Sequence, residues 1–169
     1  MVASSDRMWM IRAGRDGTVL HHFLEGKVAY LGWGEVGPIS PTDTKENVRR
    51  RLDETYPSEN AGARPNIVGM LRRFSCEVRV GDAFVTVDPQ RRLCHIGVVR
   101  SDANHQTVIW VDLATGDEFE HYGYVRKVDW GGAVSWDILT AKARGTLNGQ
   151  LSHFRIRDEV SAEIRRLCG

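Results

Sequence analysis

Cysteine is scarce in this sequence. The 169 residues contain only Cys76, Cys94 and Cys168, and no two of them have the C-x-x-C spacing. An odd number without that spacing argues against a disulfide framework and a zinc ribbon, and it predicts a reducing compartment. Long apolar runs are also absent, because no stretch approaches the ~20 residues of a membrane span and the start lacks a signal peptide. We therefore expect a cytoplasmic protein without a membrane partner.

Catalytic motifs are missing as well. The sequence contains no G-x-S-x-G, no P-loop and no H-E-x-x-H. The adjacent pair His21-His22 falls on a short helix, where neighbouring side chains point apart, and Cys94-His95 alternates between the faces of a strand. Neither pair suits a metal ion. We expect a binding domain rather than an enzyme, with no catalytic residue, metal or cofactor.

The net charge is close to zero, and by itself it neither supports nor excludes nucleic-acid binding. There are 23 Lys and Arg against 22 Asp and Glu, for a formal net charge of +1. Nucleic-acid binding depends on how charge is distributed over the surface, and the basic residues here are clustered. Each cluster can equally be a solvated helix face or turn. The clusters are Arg49 to Arg51, Arg72-Arg73, Arg91-Arg92, Arg126-Lys127 and Arg165-Arg166.

Hydrophobic periodicity predicts one α+β domain over residues 1–169. Helical spacing of apolar residues predicts helices over about 44–55, 66–78 and 158–167, the first capped by Thr44 or Asp43. Alternation predicts a bent sheet or barrel of five to six short strands, with helices inserted after the second strand and at the C-terminus. The strand candidates are 8–13, 27–33, 83–87, 93–100, 108–113, 122–130 and a short closing strand at 154–156.

An ordered set of short motifs carries a family resemblance. The motifs are VAYLGWGE (28–35), Tyr56-Pro57, LRRF (71–74), VGD (80–82), IGVV (96–99), RKVDW (126–130) and FRI (154–156). In this order the chain resembles, over residues 8–156, the EVE-like domains at the N-terminus of many bacterial modification-dependent restriction endonucleases. Those domains are relatives of the PUA, ASCH and YTH domains.

The resemblance implies a PUA-like pseudobarrel that reads a modified base in nucleic acid. Such domains turn the base out of the stack into an aromatic pocket, and a nuclease effector lies elsewhere in the same chain or in a separate partner. The base is typically a methylated cytosine in DNA or a methylated adenine in RNA, and for this sequence we expect 5-methylcytosine in DNA.

The aromatic wall of such a pocket has one leading candidate, Trp33. It lies at the end of a predicted strand, between two glycines, and glycine lets a ligand approach closely. A core tryptophan at the mouth of the barrel would give the same pattern. Trp9, Tyr30 and Trp130 are further candidates for the aromatic cage.

Polar residues that could bind the base edge or the phosphates can also be named. Asp88, at the tip of a strand, could accept the exocyclic amine of cytosine, or it could simply bind its own Asp-Pro turn. Asn66 could read a base edge or cap the second helix. The long cations placed to neutralise phosphates are Arg72, Arg73, Arg91, Arg92, Arg126 and Lys127.

Three functions from different classes remain open at this point. The first is a DNA-binding module for 5-methylcytosine. The second is an RNA reader that uses the same scaffold on methylated adenine or structured RNA. The third is an enzyme or sensor whose pocket holds a free nucleoside-like molecule.

Overall fold

A computed structural model describes residues 5–169 and has seven strands and five α-helices. The α+β class predicted from the periodicity is confirmed, with one strand more than the upper estimate. The strands are β1 (Met8–Ile11), β2 (Val28–Leu31), β3 (Ala83–Asp88), β4 (Leu93–Val99), β5 (Asn104–Val111), β6 (Glu118–Ser135) and β7 (His153–Arg155). The α-helices are α1 (Leu20–Gly26), α2 (Lys45–Thr55), α3 (Arg64–Arg72), α4 (Ala141–Leu147) and α5 (Asp158–Cys168).

The strands form an open sheet in the order β2-β6-β4-β3-β1-β7, and β5 also pairs with β6. The β1–β3 pair is parallel, whereas β1–β7, β3–β4, β4–β6 and β5–β6 are antiparallel. Strand β6 is 18 residues long, twice the length of the alternating segment expected there, so it serves as partner for β5 in its first half and for β4 in its second.

The chain's internal contacts divide it into two compact units. Unit 1 consists of residues 5–29, 79–101 and 127–169, and unit 2 consists of 30–78 and 102–126. None of the helices formed by residues 5–169 is long and apolar enough to cross a membrane.

Unit 1 is built around one face of its sheet. Met8, Met10 and Val85 project from β1 and β3 with almost no exposed surface, and they pack with apolar side chains of α4 and α5. In α5 the buried residues Val160 and Ile164 lie four positions apart, the spacing of a single helix face. Burial of this kind contributes about 1.5–3 kcal/mol for each large aliphatic side chain.

Unit 2 contains α2, α3, β5 and the first half of β6, residues 118–126, which forms the β5–β6 hairpin with β5. Helix α2 begins as predicted, since the Thr44 hydroxyl oxygen accepts a hydrogen bond from the N–H of Asn47 (3.1 Å). Its buried stripe is Val48 and Leu52. Helix α3 begins two residues earlier than expected, at Arg64, and a π-helical turn follows it over Arg73–Glu77.

Candidate functional site

Trp33 has a backbone conformation that is unusual for a large residue. It follows β2 with φ 62° and ψ 34°, in the left-handed region, and its indole is half-buried. This conformation costs an L-residue about 1–2 kcal/mol relative to a right-handed one. Strain of this kind persists only where the surroundings enforce it, and it concentrates at functional sites. Trp33 is therefore the starting point for a candidate site in unit 2.

The residue after Trp33 is clamped onto the start of β6. A Cβ on Gly34 would overlap the backbone of Tyr122, so only glycine fits this close approach. His105 Nε2 lies 2.5 Å from the Gly34 carbonyl oxygen, and His105 Nδ1 lies 3.1 Å from the Tyr122 hydroxyl. Because a carbonyl can only accept, the N–H at Nε2 donates this hydrogen bond, and Nδ1 forms the second one with the tyrosine.

The next residues are held by side chains that donate to their carbonyl oxygens. Arg51 donates to the carbonyls of Val36 (3.3 Å) and Pro38 (2.8 Å), and the Tyr124 hydroxyl donates to that of Gly37 (2.7 Å). Burial raises the pKa of Tyr124, which keeps this donor protonated. Segment 34–38 is thus fixed along its length, and this accounts for the enforced backbone of the tryptophan before it.

A second fixed segment, residues 56–60, is organised by a buried arginine. Arg64, only 9% exposed, donates to the carbonyls of Tyr56 (3.4 Å), Pro57 (2.9 Å) and Glu59 (2.9 Å), and it forms an ion pair with Asp53. The hydrogen bond from Arg64 lowers the pKa of the Asp53 carboxyl. The planar guanidinium supplies several donors in a rigid fork, which suits this convergence of carbonyls.

The two segments meet at Trp33 and Glu59. The indole N–H of Trp33 lies 3.5 Å from a carboxylate oxygen of Glu59, and the Tyr56 hydroxyl donates to the carboxylate of Glu35. A flat ring with a carboxylate at its edge is an arrangement that can stack on a planar ligand and accept a hydrogen bond from its amino group. No sequence motif pointed to Glu59 or Arg64.

Tyr30 also belongs to unit 2, where it joins an aromatic group on the hairpin. Its ring packs edge-on against Trp110, with centroids 4.5 Å apart, and its hydroxyl donates to the Tyr122 carbonyl (3.1 Å). Burial, with the negative charge of Glu35 as the second cause, raises the pKa of Tyr30 to about 12. The phenol is therefore a neutral donor.

Trp9 lies in the core of unit 1 and is not exposed to a ligand. It is 2% exposed, its indole N–H donates to Asp82 (2.8 Å), and its ring stacks on His153 at 5.5 Å. Asp82 is itself fully buried, and Arg7 forms an ion pair with it (2.8 Å). Although burial raises the pKa of the Asp82 carboxyl, hydrogen bonds led by the N–H of Arg79 outweigh this and lower it.

Trp130 has a structural role in unit 1. Its indole N–H donates to the Val28 carbonyl (3.0 Å), and its ring stacks on Phe23 with centroids 6.3 Å apart. It stands opposite Gly97 in the β4–β6 pair, where a Cβ would come within 2.7 Å of the indole. With its donor and one ring face already occupied, Trp130 supports the sheet.

Asp88 belongs to unit 1 and Asn66 to helix α3 of unit 2. The Asp88 carboxylate accepts the N–H groups of Gln90 (3.0 Å) and Arg91 (2.9 Å), which is the turn role expected of an Asp-Pro sequence. Asn66 is exposed at the third position of α3, and the cap residue is Ala63. The capping role considered for Asn66 is therefore wrong.

Arg126 is not available to a phosphate, which corrects the sequence-based prediction. It is 1% exposed and donates to the carbonyls of Phe74 (2.8 Å), Ser75 (3.4 Å) and Val78 (2.9 Å). Its charge stabilises the π-helical turn of unit 2. The adjacent Lys127 is exposed, as a residue pointing to the opposite side of a strand should be.

The remaining predicted cations differ in exposure. Arg92 donates to Asp137 (3.0 Å) in an exposed ion pair, whereas its neighbour Arg91 is exposed and forms no ion pair within residues 5–169. Arg72 and Arg73 are half-buried at the end of α3. Arg91 and Lys127 are thus the two exposed cations of the six that form no ion pair within residues 5–169.

Charge is distributed unevenly between the two units. Unit 1 carries 15 Lys and Arg against 10 Asp and Glu, and unit 2 carries 8 against 12. A nearly neutral chain therefore combines a basic unit with an acidic one. The net charge of the whole chain does not reveal this difference in charge between the units.

Unit 1 also has a pocket of about 170 Å³ at the end of β1. Arg12 lines it, but its guanidinium donates to the carbonyls of Leu147 (3.2 Å), Leu151 (3.3 Å) and Gly149. Burial lowers the pKa of Arg12. Its donors are used by carbonyl groups of the protein's own loop, so the site at Trp33 is the better candidate for binding a ligand. Among residues 5–169 no group of three or more His, Cys, Asp and Glu side chains is arranged to hold a metal ion.

Comparison with known proteins gives one assignment. None of the curated proteins matches this chain. A family model described as "Domain of unknown function (DUF8426)" matches residues 9–148, a range that includes Trp33, the segments 34–38 and 56–60, and the β5–β6 hairpin. Since the match covers most of the sequence, the chain belongs to the DUF8426 family.

Proposed function

We propose that this chain is a DNA-binding module that reads a modified base, 5-methylcytosine, turned out of the duplex onto Trp33. We propose further that its α+β fold is the PUA-like pseudobarrel of the EVE-like domains. The observation that carries the proposal is the left-handed backbone of Trp33 between two glycines, enforced by the segment that follows it. A tryptophan needed only for packing gains nothing from such a conformation.

The energetics of base reading agree with this arrangement. A base that leaves the stack loses its neighbours, and an aromatic side chain recovers about 1–3 kcal/mol by stacking on it. Because hydrogen bonds to Arg51, His105 and Tyr124 already hold segment 34–38, the ring is positioned before the ligand arrives. Such pre-organisation reduces the entropy cost of binding.

Glu59 is proposed to accept the exocyclic amine of the cytosine. A carboxylate has about four lone-pair sites, so its contacts with the Trp33 indole and with the N–H of Asn60 (3.1 Å) leave room for a further donor. The cytosine N4 amino group is such a donor, and thymine presents an acceptor at the same position. Glu59 takes the role first considered for Asp88 because it lies beside the Trp33 indole; both carboxylates also accept backbone N–H groups of their own segments.

The proposal assigns no catalytic step to this chain. Its partner is nucleic acid, and a nuclease acting on the marked DNA would be a fused domain or a separate protein. The excess of positive charge on unit 1 supports sequence-independent contacts with phosphates, for which Arg91 and Lys127 are accessible.

The test is a competition binding panel at one stated salt concentration. Two duplexes differ by a single methyl group on one cytosine, and an RNA has the same sequence. We expect the methylated duplex to be preferred about ten-fold, equivalent to about 1.4 kcal/mol. Trp33→Ala should abolish this preference, and Glu59→Gln should weaken binding to the methylated duplex. Glu46→Gln, an exposed change on α2, is the matched control and should bind like the wild type.

Three results would reassign the function. Equal binding to both duplexes would end the modified-base proposal. Preference for the RNA would identify an RNA reader on the same scaffold. Saturable binding of free 5-methyl-deoxycytidine without binding to any polymer would indicate a small-molecule sensor.

A further inference from the structure

The β5–β6 hairpin has a composition unlike that of the rest of unit 2. Between Arg100 and Arg126 there is no Lys or Arg, and there are five acidic residues. Residues 30–78, the other part of unit 2, contain seven Lys and Arg and seven Asp and Glu. The acidic character of unit 2 therefore comes from its hairpin. The five acids are Asp102, Asp112, Asp117, Glu118 and Glu120.

The same hairpin exposes large apolar side chains. Ile109 is 62% exposed, Leu113 73% and Phe119 48%. Ile109 stands directly opposite Glu120 in the β5–β6 register, so an apolar and an acidic side chain share one face. Phe119 stands opposite Trp110 and therefore lies on the other face, so the hairpin exposes apolar side chains on both faces. Their concentration in one small element indicates an interaction surface, whereas residues scattered over the molecule would not.

Strand β5 also lies at an edge of the sheet. Among the strands formed by residues 5–169, β6 is the only one that pairs with it. Its eight residues, NHQTVIWV, contain no Lys, Arg, Asp, Glu, Pro or Gly. Charges, prolines and bulges are the usual devices that keep an exposed edge from pairing. An edge without them is a template for an additional strand, a common way of binding extended peptides.

We propose that the outer edge of β5 binds an extended polypeptide segment in which basic and apolar residues alternate, by adding it as a strand. Glu118 and Glu120 on β6 are two strand spacings from the added strand, about 9.6 Å. This backbone distance exceeds the Debye length of about 8 Å at physiological ionic strength, so exposed charges that far apart are largely screened. The attraction acts where a lysine side chain of the added strand extends towards Glu118 or Glu120, and it weakens as salt is added.

The negative charge of the hairpin favours a basic polypeptide segment over two other possible partners. A second copy of the chain, pairing β5 with β5, would bring two acidic hairpins together. A nucleic acid would bring phosphates to the same surface. Both contacts are repulsive, whereas a basic segment is attracted. The inference does not depend on base reading at Trp33.

The experiment uses the full chain and an octapeptide in which lysine alternates with valine, kept dilute enough to remain monomeric. Binding is followed by fluorescence anisotropy of the labelled peptide. We expect saturable binding that weakens with salt and falls about ten-fold or more when alternate backbone nitrogens of the peptide are methylated, because methylation removes the donors that form a ladder. The corresponding glutamate–valine peptide should not bind.

Matched variants locate the site. Ile109→Lys should weaken binding about ten-fold by placing a like charge on the edge strand. Ile138→Lys, at a similarly exposed isoleucine of unit 1 (57%), should bind like the wild type. Melting temperatures verify that both variants fold. If Ile109→Lys lowers the melting temperature, the double change Glu118→Gln, Glu120→Gln decides instead, and it should remove most of the salt dependence.

Each contrary result overturns the inference. Equal affinity for the methylated and unmethylated peptides would mean that charge alone holds the peptide, without strand addition. Equal loss in Ile109→Lys and Ile138→Lys would place the binding elsewhere. Sedimentation that shows a dimer dissolved by Ile109→Lys would make a second copy the occupant of the edge.

Discussion

Replacing Trp33 by glycine and by alanine separates the contribution of its ring from that of its backbone. Both changes remove the half-buried indole, and we expect each to cost roughly 1–2.5 kcal/mol, below the 3–5 kcal/mol of a fully buried aromatic side chain. Alanine retains the left-handed penalty of about 1–2 kcal/mol, which glycine does not have. Relative to alanine, glycine lowers the stability of the fold by about 0.4–1 kcal/mol, because the unfolded chain has more conformational freedom.

The difference makes Trp33→Gly more stable than Trp33→Ala by about 0.5–1 kcal/mol. For a chain of this size that corresponds to a melting temperature about 1–4 °C higher. Thermal and urea denaturation of the two variants side by side measure it, and neither variant should retain a preference for methylated DNA.

The control is the same pair of changes at Trp136. This tryptophan is also half-buried, but its backbone φ is negative. There Gly should be less stable than Ala by about 0.5–1 kcal/mol, the reverse order. If Trp33→Gly also proves less stable than Trp33→Ala, the left-handed backbone is not a source of strain, and the main argument for a functional site at Trp33 is lost.

Further expectations concern packing, pH and salt. Gly34→Ala should lower the free energy of unfolding by about 2 kcal/mol or more, at the upper end of the range for overpacking, because its Cβ would overlap the backbone of β6. Gly131 has open space around it, so Gly131→Ala should change the free energy of unfolding by no more than about 0.5 kcal/mol. Urea denaturation measures both variants. The pKa of Asp82 is lowered in the fold, so its contribution to stability is present above its unfolded pKa of about 3.9 and is lost as pH falls through the folded pKa. Asp82→Asn should therefore be less stable at neutral pH, and the difference should shrink in acid; a gap independent of pH would contradict the assignment. Arg91→Ala should reduce the slope of log affinity against log salt by about 0.9, whereas Arg92→Ala, which breaks an existing ion pair, should leave it nearly unchanged.

The elements of secondary structure were predictable because their signals are local. Apolar spacing located α2 and α5, and it limited the cap of α2 to Thr44 or Asp43, of which the structure shows Thr44. The boundaries of α3 and the length of β6 were missed. Strand β6 extends to 18 residues because it pairs with different partners along its length, and pairing partners are distant in sequence.

The candidate site was predictable only in part. Trp33 could be identified because its flanking glycines are adjacent in the chain, and they permit the turn that the backbone makes. Glu59 could not, since its position beside the indole depends on Arg64, which holds the segment 56–60 by its carbonyls. No residue type or spacing in the sequence predicts that an arginine will bind main-chain oxygens.

The sequence by itself determined the α+β class, the positions of most helices and strands, and the likeness in motif order that suggests a base reader. The tertiary structure decided which side chains are available for that task. Arg126 and Lys127 are neighbours of the same charge, yet the first is buried against carbonyl oxygens and the second is exposed. Alternate residues of a strand face opposite sides, and only the packed fold determines which side is solvent and which is protein.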